Sequence, residues 1–218
     1  MRKFRFTNGE FYHVYNRGVD KRTVFLDQYD FDRFLQGMEE FNSTKPIGSL
    51  FENSFRKDQL SNPIAKLVDI ICYCLNANHY HMILRQRVNG GVSEFMRRIG
   101  TGFTQHFNFR YKRSGALFQG KFKAKHINSN EYLLHLSAYV NLNNEIHKIK
   151  SDKKFRSSWN EYVYLRRKNN YVICKPKIIL DQFTNLNEYK TFALSSLDDI
   201  LERKQLFKET EELLLDCT

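Results

Sequence analysis

The sequence predicts an α+β fold in which an antiparallel sheet carries helices on one face. The predicted elements come in the order strand–helix–strand–strand–helix–strand–helix. Two apolar runs, at 70–75 and 79–84, are joined by a tight Asn-Ala-Asn break. The 218 residues are 41% hydrophobic and 15% aromatic, which is enough to bury a core and excludes a wholly disordered chain.

The first strand is predicted at 11–15, where aromatic and β-branched residues precede a turn at 16–18. Because side chains alternate along a strand, Phe11, His13 and Tyr15 share one face. His13 then has two interpretations. It is either a half-buried histidine of the sheet, which we favour, or a side chain near a functional site.

A helix is predicted from an Asp27 N-cap to about Asn42, with an apolar stripe that faces the core. The stripe consists of Phe31, Phe34, Leu35, Met38 and Phe41. Residues 43–66 lose this periodicity and contain Pro46 and Pro63. We predict a surface insertion there.

The chain is organised around the stretch 70–84, whose second apolar run opens with His79-Tyr80-His81. On a strand, His79 and His81 point to one face and Tyr80 to the other. Two neighbouring imidazoles on a rigid strand are suited to binding a divalent metal. His-x-His also occurs by chance, so this pair alone is a weak signal.

A second helix is predicted from a Ser93 N-cap, with Glu94 in its first turn. Between Glu94 and Glu131 the chain has no acidic residue but eight basic ones, unlike a solvated surface of mixed charge. These are Arg97, Arg98, Arg110, Lys112, Arg113, Lys121, Lys123 and Lys125. Together with Arg17, at the end of the first strand, they are the candidate DNA-binding residues.

The second half of this basic segment alternates Lys121, Lys123 and Lys125 with Phe122 and Ala124. On a strand, this pattern produces one basic face suited to a phosphate backbone. The aromatic residues remain available either for the core or for base stacking. With a net charge of +11, the pattern favours nucleic acid over a membrane as the partner.

A third helix is predicted over 130–144, capped by Asn128 or Ser129. Tyr139 and Asn143 lie one turn apart on its surface. A phenol and an amide oxygen presented together could meet the two histidines as a nucleophile and a third metal ligand. From the helix alone, a packed tyrosine with its hydroxyl in water is the favoured interpretation.

The chain is predicted to divide into a domain at 1–192 and an acidic helical tail at 193–218, which could cover the basic surface or bind a partner. The four cysteines show neither a disulfide framework nor zinc-ribbon spacing. The N-terminus has no long apolar segment, and no stretch approaches a membrane span. We therefore expect a soluble cytoplasmic protein without a membrane partner.

Four segments of the chain form a characteristic series. They are Phe11-Tyr12-His13-Val14-Tyr15-Asn16-Arg17-Gly18, Tyr73-Cys74-Leu75-Asn76-Ala77-Asn78-His79-Tyr80-His81-Met82-Ile83-Leu84, Phe118-Gln119-Gly120-Lys121-Phe122-Lys123-Ala124 and Ala138-Tyr139-Val140-Asn141-Leu142-Asn143. In this order they resemble the REP-associated tyrosine transposases of the HUH single-strand transposase superfamily, over about residues 9–190. The chain departs from that pattern at Asn76, commonly apolar in the family, at Asn144, commonly proline, and in the longer segment 43–66.

The resemblance implies a ferredoxin-like sheet with the histidine pair on a central strand. It implies that His79, His81 and Asn143 bind Mg²⁺ or Mn²⁺ and that Tyr139 is the nucleophile. The implied activity is cleavage and rejoining of single-stranded DNA at hairpin-forming repeats, through a 5′-phosphotyrosine intermediate. A homodimer and a monomer are equally compatible with it.

Two alternatives remain open. One is a non-catalytic single-stranded nucleic-acid-binding protein on the same sheet architecture, against which the intact set of His79, His81, Tyr139 and Asn143 argues. The other is an HUH replication or conjugation initiator, which the flanking motifs disfavour.

Overall fold

Five antiparallel strands form a single sheet in the order β4-β1-β3-β2-β5. The computed structural model describes residues 5–50, 53, 65–149, 154–164 and 173–215, without the side chains of 206–215. The strands are β1 (Phe11–Arg17), β2 (Val68–Asn76), β3 (His79–Gln86), β4 (Lys123–Ile127) and β5 (Phe155–Ser157). The strand that begins with His79 is therefore the middle one.

The helices lie between and after the strands. They are α1 (Gln28–Glu40), α2 (Gly91–Arg110), α3 (Asn130–Asn141), α4 (Asn143–Ile146), α5 (Trp159–Val163), α6 (Lys177–Leu180) and α7 (Leu186–Leu215). The order β1-α1-β2-β3-α2-β4 is the βαββαβ arrangement of ferredoxin-like folds. The predicted α+β class and the predicted order of elements are confirmed.

Helices cover both faces of the sheet, so the prediction of helices on one face is wrong in that detail. α1 and α2 share one apolar core with Tyr80, whereas α3 and α7 share a second core with Ile83. Since Tyr80 and Ile83 point to opposite faces of β3, the two cores lie on opposite sides. The physical reason is visible in β2, which is buried at every position and needs apolar cover on both faces.

α1 begins as predicted, because the Asp27 side chain accepts a hydrogen bond from the Asp30 backbone N–H. It ends at Glu40, slightly earlier than expected, and its apolar stripe is buried as predicted. The described part of the 43–66 segment packs near this end, where Asn53 Nδ2 donates to Glu40 Oε2 over 2.8 Å. Residues 51–52 and 54–64 of that segment lie outside the described residues.

α2 begins at Gly91, so the predicted Ser93 N-cap is wrong. Gly90 precedes it with a φ of 71°, a left-handed conformation that glycine adopts at little cost. At Gly91 a Cβ would lie 2.3 Å from the carbonyl oxygen of Leu67. Backbone conformation and close packing, rather than a side-chain cap, set the start of this helix.

α3 is capped by Ser129, as predicted, but it ends at Asn141 rather than at Asn144. Leu142 interrupts it with φ −106° and ψ 17°, and Asn143 opens the separate helix α4. The break accompanies a long-range contact, because Asn143 Oδ1 accepts a hydrogen bond from Asn76 of β2 over 2.7 Å. The prediction of one helix over 130–144 is therefore corrected to two.

α7 runs without interruption from Leu186 to Leu215, so the boundary expected at 193 falls inside it. Tyr189, Ala193 and Leu197 are buried in the second core, against α3. No helix among the described residues combines the length and apolar character that crossing a membrane requires.

Candidate functional site

The two histidines of β3 share one face of the sheet with Tyr139 and Asn143. The His79 and His81 rings are 5.3 Å apart, and the edge of the Tyr139 ring lies 5.5 Å from His81, measured between centroids. Asn143 Oδ1 lies 3.1 Å from His79 Nε2. Tyr80 points to the other face and packs on Phe34. The structure thus brings together all four predicted metal-binding and nucleophilic residues.

His13 lies within this site, which decides between the two interpretations that the sequence left open. Its Nε2 is 2.9 Å from His81 Nδ1, and the rings stack at 5.1 Å. Tyr15 stacks on the opposite side of the same pair, 5.6 Å from His81. Alternation along β1 already placed His13 and Tyr15 on one face, but only strand pairing shows that this face meets β3 beside His81.

The Asn76-Ala77-Asn78 turn surrounds His79 with amides. Asn76 Nδ2 is 3.0 Å from His79 Nε2, and Asn78 Oδ1 is 2.6 Å from His79 Nδ1. Asn76 is fully buried at the end of β2. The sequence marked Asn76 only as a departure from a family pattern, so its contact with the site was missed.

Burial keeps the imidazoles of the site neutral. It lowers the pKa of His79 to about 4, from an ordinary value of 6.5. Burial, and then the charge of Lys125, lowers the pKa of His13 to about 4. Burial also holds the pKa of His81 well below its usual range. Neutral imidazoles have free lone pairs, which a metal ligand requires.

The phenol of Tyr139 is half-buried between the histidines and Asn143. Burial raises its pKa above the ordinary value of 10, and the nearby Asn143 amide partly opposes that shift. The phenol is therefore protonated at neutral pH and must lose its proton when its oxygen reacts.

An open cavity of about 290 Å³ lies over this face. It is lined by Tyr15, Asn16, Arg17, His79, His81, Gln119, Lys123 and His147. His147 was not predicted, although it follows Asn143 by one helical turn, which is a detectable signal. Its ring lies 4.8 Å from that of His79.

The predicted basic face of β4 borders the cavity. Lys123 pairs with Tyr15 and Lys125 pairs with His13, so both lysines project on the side of the histidines. Lys121 is exposed just before the strand, and Arg17 is exposed at the end of β1. Phe122 and Ala124 pack against the first core, which decides in favour of the core over base stacking.

The structure does not bring the arginines of α2 to this site, because α2 covers the other face of the sheet. Arg97 and Arg98 pair with Glu94, and Arg98 Nη1 also donates to the Ser43 carbonyl over 2.6 Å. Arg110 pairs with Asp27 and with the buried Asp30.

Two further basic residues follow α2. Arg113 donates to Asn108 Oδ1 over 2.6 Å, and Lys112 is exposed beside it. Of the nine candidate DNA-binding residues, those of β1 and the β4 region therefore surround the cavity, whereas those of α2 and its C-terminal turn lie elsewhere.

The donor atoms fit a small divalent cation. Adjacent ligands of an octahedral ion bound at about 2.1 Å are about 3 Å apart, and His79 Nε2 and Asn143 Oδ1 are 3.1 Å apart. A set of imidazoles and an amide oxygen suits Mn²⁺ better than Mg²⁺, which prefers oxygen alone. Among the described residues, no three His, Cys, Asp or Glu side chains are grouped to hold a metal, so the amide would have to complete this set.

Comparison with known proteins supports the resemblance found in the sequence. Residues 59–143 match the family described as "Transposase IS200 like". This match includes both histidines, Tyr139 and Asn143. No curated protein matches the chain in sequence.

The chain also resembles a solved structure of a REP-associated tyrosine transposase bound to a REP hairpin. The TM-score is 0.51 at 13% identity, and the match covers 80% of this chain and 98% of the other. At this identity the likeness shows a shared fold. The observed antiparallel sheet with helices is the fold of that transposase.

Proposed function

We propose that this protein is a metal-dependent single-stranded DNA endonuclease and strand transferase that acts through a 5′-phosphotyrosine at Tyr139. The observation that carries the proposal is the meeting of a phenol, two neutral imidazoles and an amide oxygen on one sheet face. The likeness to a transposase bound to a REP hairpin makes hairpin-forming single strands the proposed substrate.

Each residue has a distinct part in this reaction. His79, His81 and Asn143 would hold the ion, which supplies polarisation of the scissile phosphate and neutralises charge as it develops. The Tyr139 oxygen loses its proton and forms a bond to phosphorus. The bond from phosphorus to the 3′ oxygen breaks, and that oxygen leaves as a 3′-hydroxyl after taking up a proton. The phosphotyrosine conserves the bond for rejoining.

The basic surface beside the cavity would bind the substrate backbone. Arg17 and Lys123 line the cavity itself, and Lys125 extends the positive surface along β4. Cations placed next to the nucleophile bind phosphates and hold the scissile one against Tyr139. We therefore propose that DNA enters along β4 and the end of β1.

The test is an adduct assay with hairpins taken from DNA that flanks the gene. Native protein with Mn²⁺ is expected to form a detergent-resistant protein–DNA adduct and a free 3′-hydroxyl. Tyr139→Phe is the matched control and should form neither. If the native protein binds these hairpins tightly, but Mn²⁺ or Mg²⁺ yields no adduct, the endonuclease proposal is wrong and the non-catalytic binding function takes its place.

A further inference from the structure

The two asparagines of the β2–β3 turn contact both ring nitrogens of His79. Asn76, the last residue of β2, pairs across the hairpin with His79, the first residue of β3. Asn78 precedes the histidine directly. Neither asparagine has a part in the function proposed above, and Asn76 stands where the resembling family commonly has an apolar residue.

The orientation of the Asn78 amide determines which ring nitrogen of His79 carries hydrogen. Asn78 Nδ2 donates to the carbonyl oxygen of Lys21 over 3.1 Å, so its Oδ1 is the atom that faces His79. That oxygen lies 2.6 Å from His79 Nδ1. Since an amide oxygen only accepts hydrogen bonds, Nδ1 must carry the hydrogen, and a neutral ring then has its lone pair on Nε2.

The Asn76 amide completes the arrangement from the other side. Its Oδ1 accepts from the Cys74 Sγ–H at 3.6 Å, which leaves Nδ2 directed at the site. Nδ2 lies 3.0 Å from His79 Nε2 and 2.7 Å from Asn143 Oδ1. One amino group thus lies between two acceptors that would otherwise repel each other at 3.1 Å.

We propose that Asn76 and Asn78 are positioning residues that present the His79 Nε2 lone pair and Asn143 Oδ1 together to a divalent cation. Asn78 holds the hydrogen on Nδ1, and Asn76 holds the helix-borne amide against the strand-borne imidazole. When a cation binds, His79 Nε2 exchanges the Asn76 N–H for the ion, while Asn76 keeps its bond to Asn143. Outer partners of this kind orient metal ligands in proteins generally. The proposal rests on the proposed function for the role of these atoms.

The first experiment observes the His79 ring directly, in the metal-free full chain labelled with ¹⁵N-histidine. Long-range ¹H–¹⁵N spectra show which ring nitrogen carries hydrogen, and His79→Gln identifies the signals. Native protein and Asn78→Asp, which retains the acceptor oxygen, should carry it on Nδ1. Asn78→Ala should lose this preference. Hydrogen on Nε2 in the native protein, or an unchanged ring in Asn78→Ala, would overturn the proposal.

The second experiment measures Mn²⁺ affinity by titration without DNA. Asn78→Ala and Asn76→Leu should bind about 10- to 100-fold more weakly, whereas Asn78→Asp should bind about as well as the native chain. The turn should persist in these variants, because Gly18 N–H donates to the Asn78 carbonyl and Val24 N–H donates to that of Ala77.

The two experiments fail separately. If Asn78→Ala and Asn76→Leu bind Mn²⁺ as tightly as the native chain, the positioning role is wrong although the metal site stands. If the native chain binds no Mn²⁺, the metal site of the proposed function is wrong, and the positioning role of the two asparagines is wrong with it.

Discussion

Tyr139 differs from the neighbouring tyrosines in what surrounds its ring. It meets His81 and His13 edge-on, whereas Tyr80 lies in the opposite core and Tyr132 lies under Lys125. Tyr139→Phe removes one oxygen and little packing, so we expect a stability change of about 1 kcal/mol or less. Hairpin binding should persist and the covalent adduct should disappear.

Tyr132→Phe is the matched control on the same helix and should form the adduct normally. Peptide mapping by mass spectrometry checks the assignment. An adduct on any other tyrosine would refute both the nucleophile and the placement of the helix against β3.

His79 and His106 provide a second comparison at the scale of single residues. His106 lies on α2, on the other side of the sheet, beside Tyr29 and Phe103. His79→Gln removes a proposed ligand, so cleavage with Mn²⁺ should fall by at least about 100-fold while hairpin affinity changes little. His106→Gln should cleave normally. Equal losses in the two variants, or full native activity in excess chelator, would exclude the proposed metal role.

At the scale of elements, β4 and α2 carry basic residues of different use. Lys123 and Lys125 project beside the cavity without an acidic partner at salt-bridge distance among the described residues, whereas Arg97 pairs with Glu94 on the far side. Replacing both lysines with Gln should lower the slope of log affinity against log salt by about two, one for each phosphate contact. Arg97→Gln should leave the slope unchanged. The opposite pattern would place the DNA on α2.

Two glycines of α2 should respond in opposite directions to the same substitution. A Cβ at Gly91 meets the Leu67 carbonyl oxygen at 2.3 Å, but a Cβ at Gly100 meets nothing within 4 Å. Gly91→Ala should therefore destabilise the fold by about 1–3 kcal/mol, because the backbone must shift. Gly100→Ala should stabilise it by roughly 0.5–1 kcal/mol, since alanine loses less entropy in a helix. Urea denaturation of both variants measures the difference, and equal signs would contradict this packing.

For the whole molecule, the buried histidines predict loss of stability in acid. The pKa values of His13 and His79 are about 4 in the folded chain, against an ordinary 6.5. Between these values the unfolded chain binds more protons, so stability is full above about pH 6.5 and falls as pH drops towards 4. Each shift corresponds to about 3 kcal/mol at most.

Urea unfolding at pH 7 and pH 5, in chelator, should show this loss. His13→Gln should reduce the difference between the two pH values, because one of the groups no longer titrates. A native protein equally stable at both pH values would show that these histidines are not held neutral by burial.

The sequence by itself determined what depends on local periodicity. Alternation along a strand put His79 and His81 on one face and Tyr80 on the other, and helical spacing identified the buried stripe of α1. The order of elements was sufficient for the βαββαβ arrangement. These signals arise within a few residues, and the chain carries them whatever its tertiary contacts.

Only the tertiary structure decided what depends on contacts between distant parts of the chain. His13 joins His81 across 68 positions, and Asn76 joins Asn143 across 67. The second contact accompanies the break at Leu142, which no helical pattern announces. Strand pairing, closure of a second core and ion pairing decide which polar side chains meet, and a linear pattern does not contain these distances.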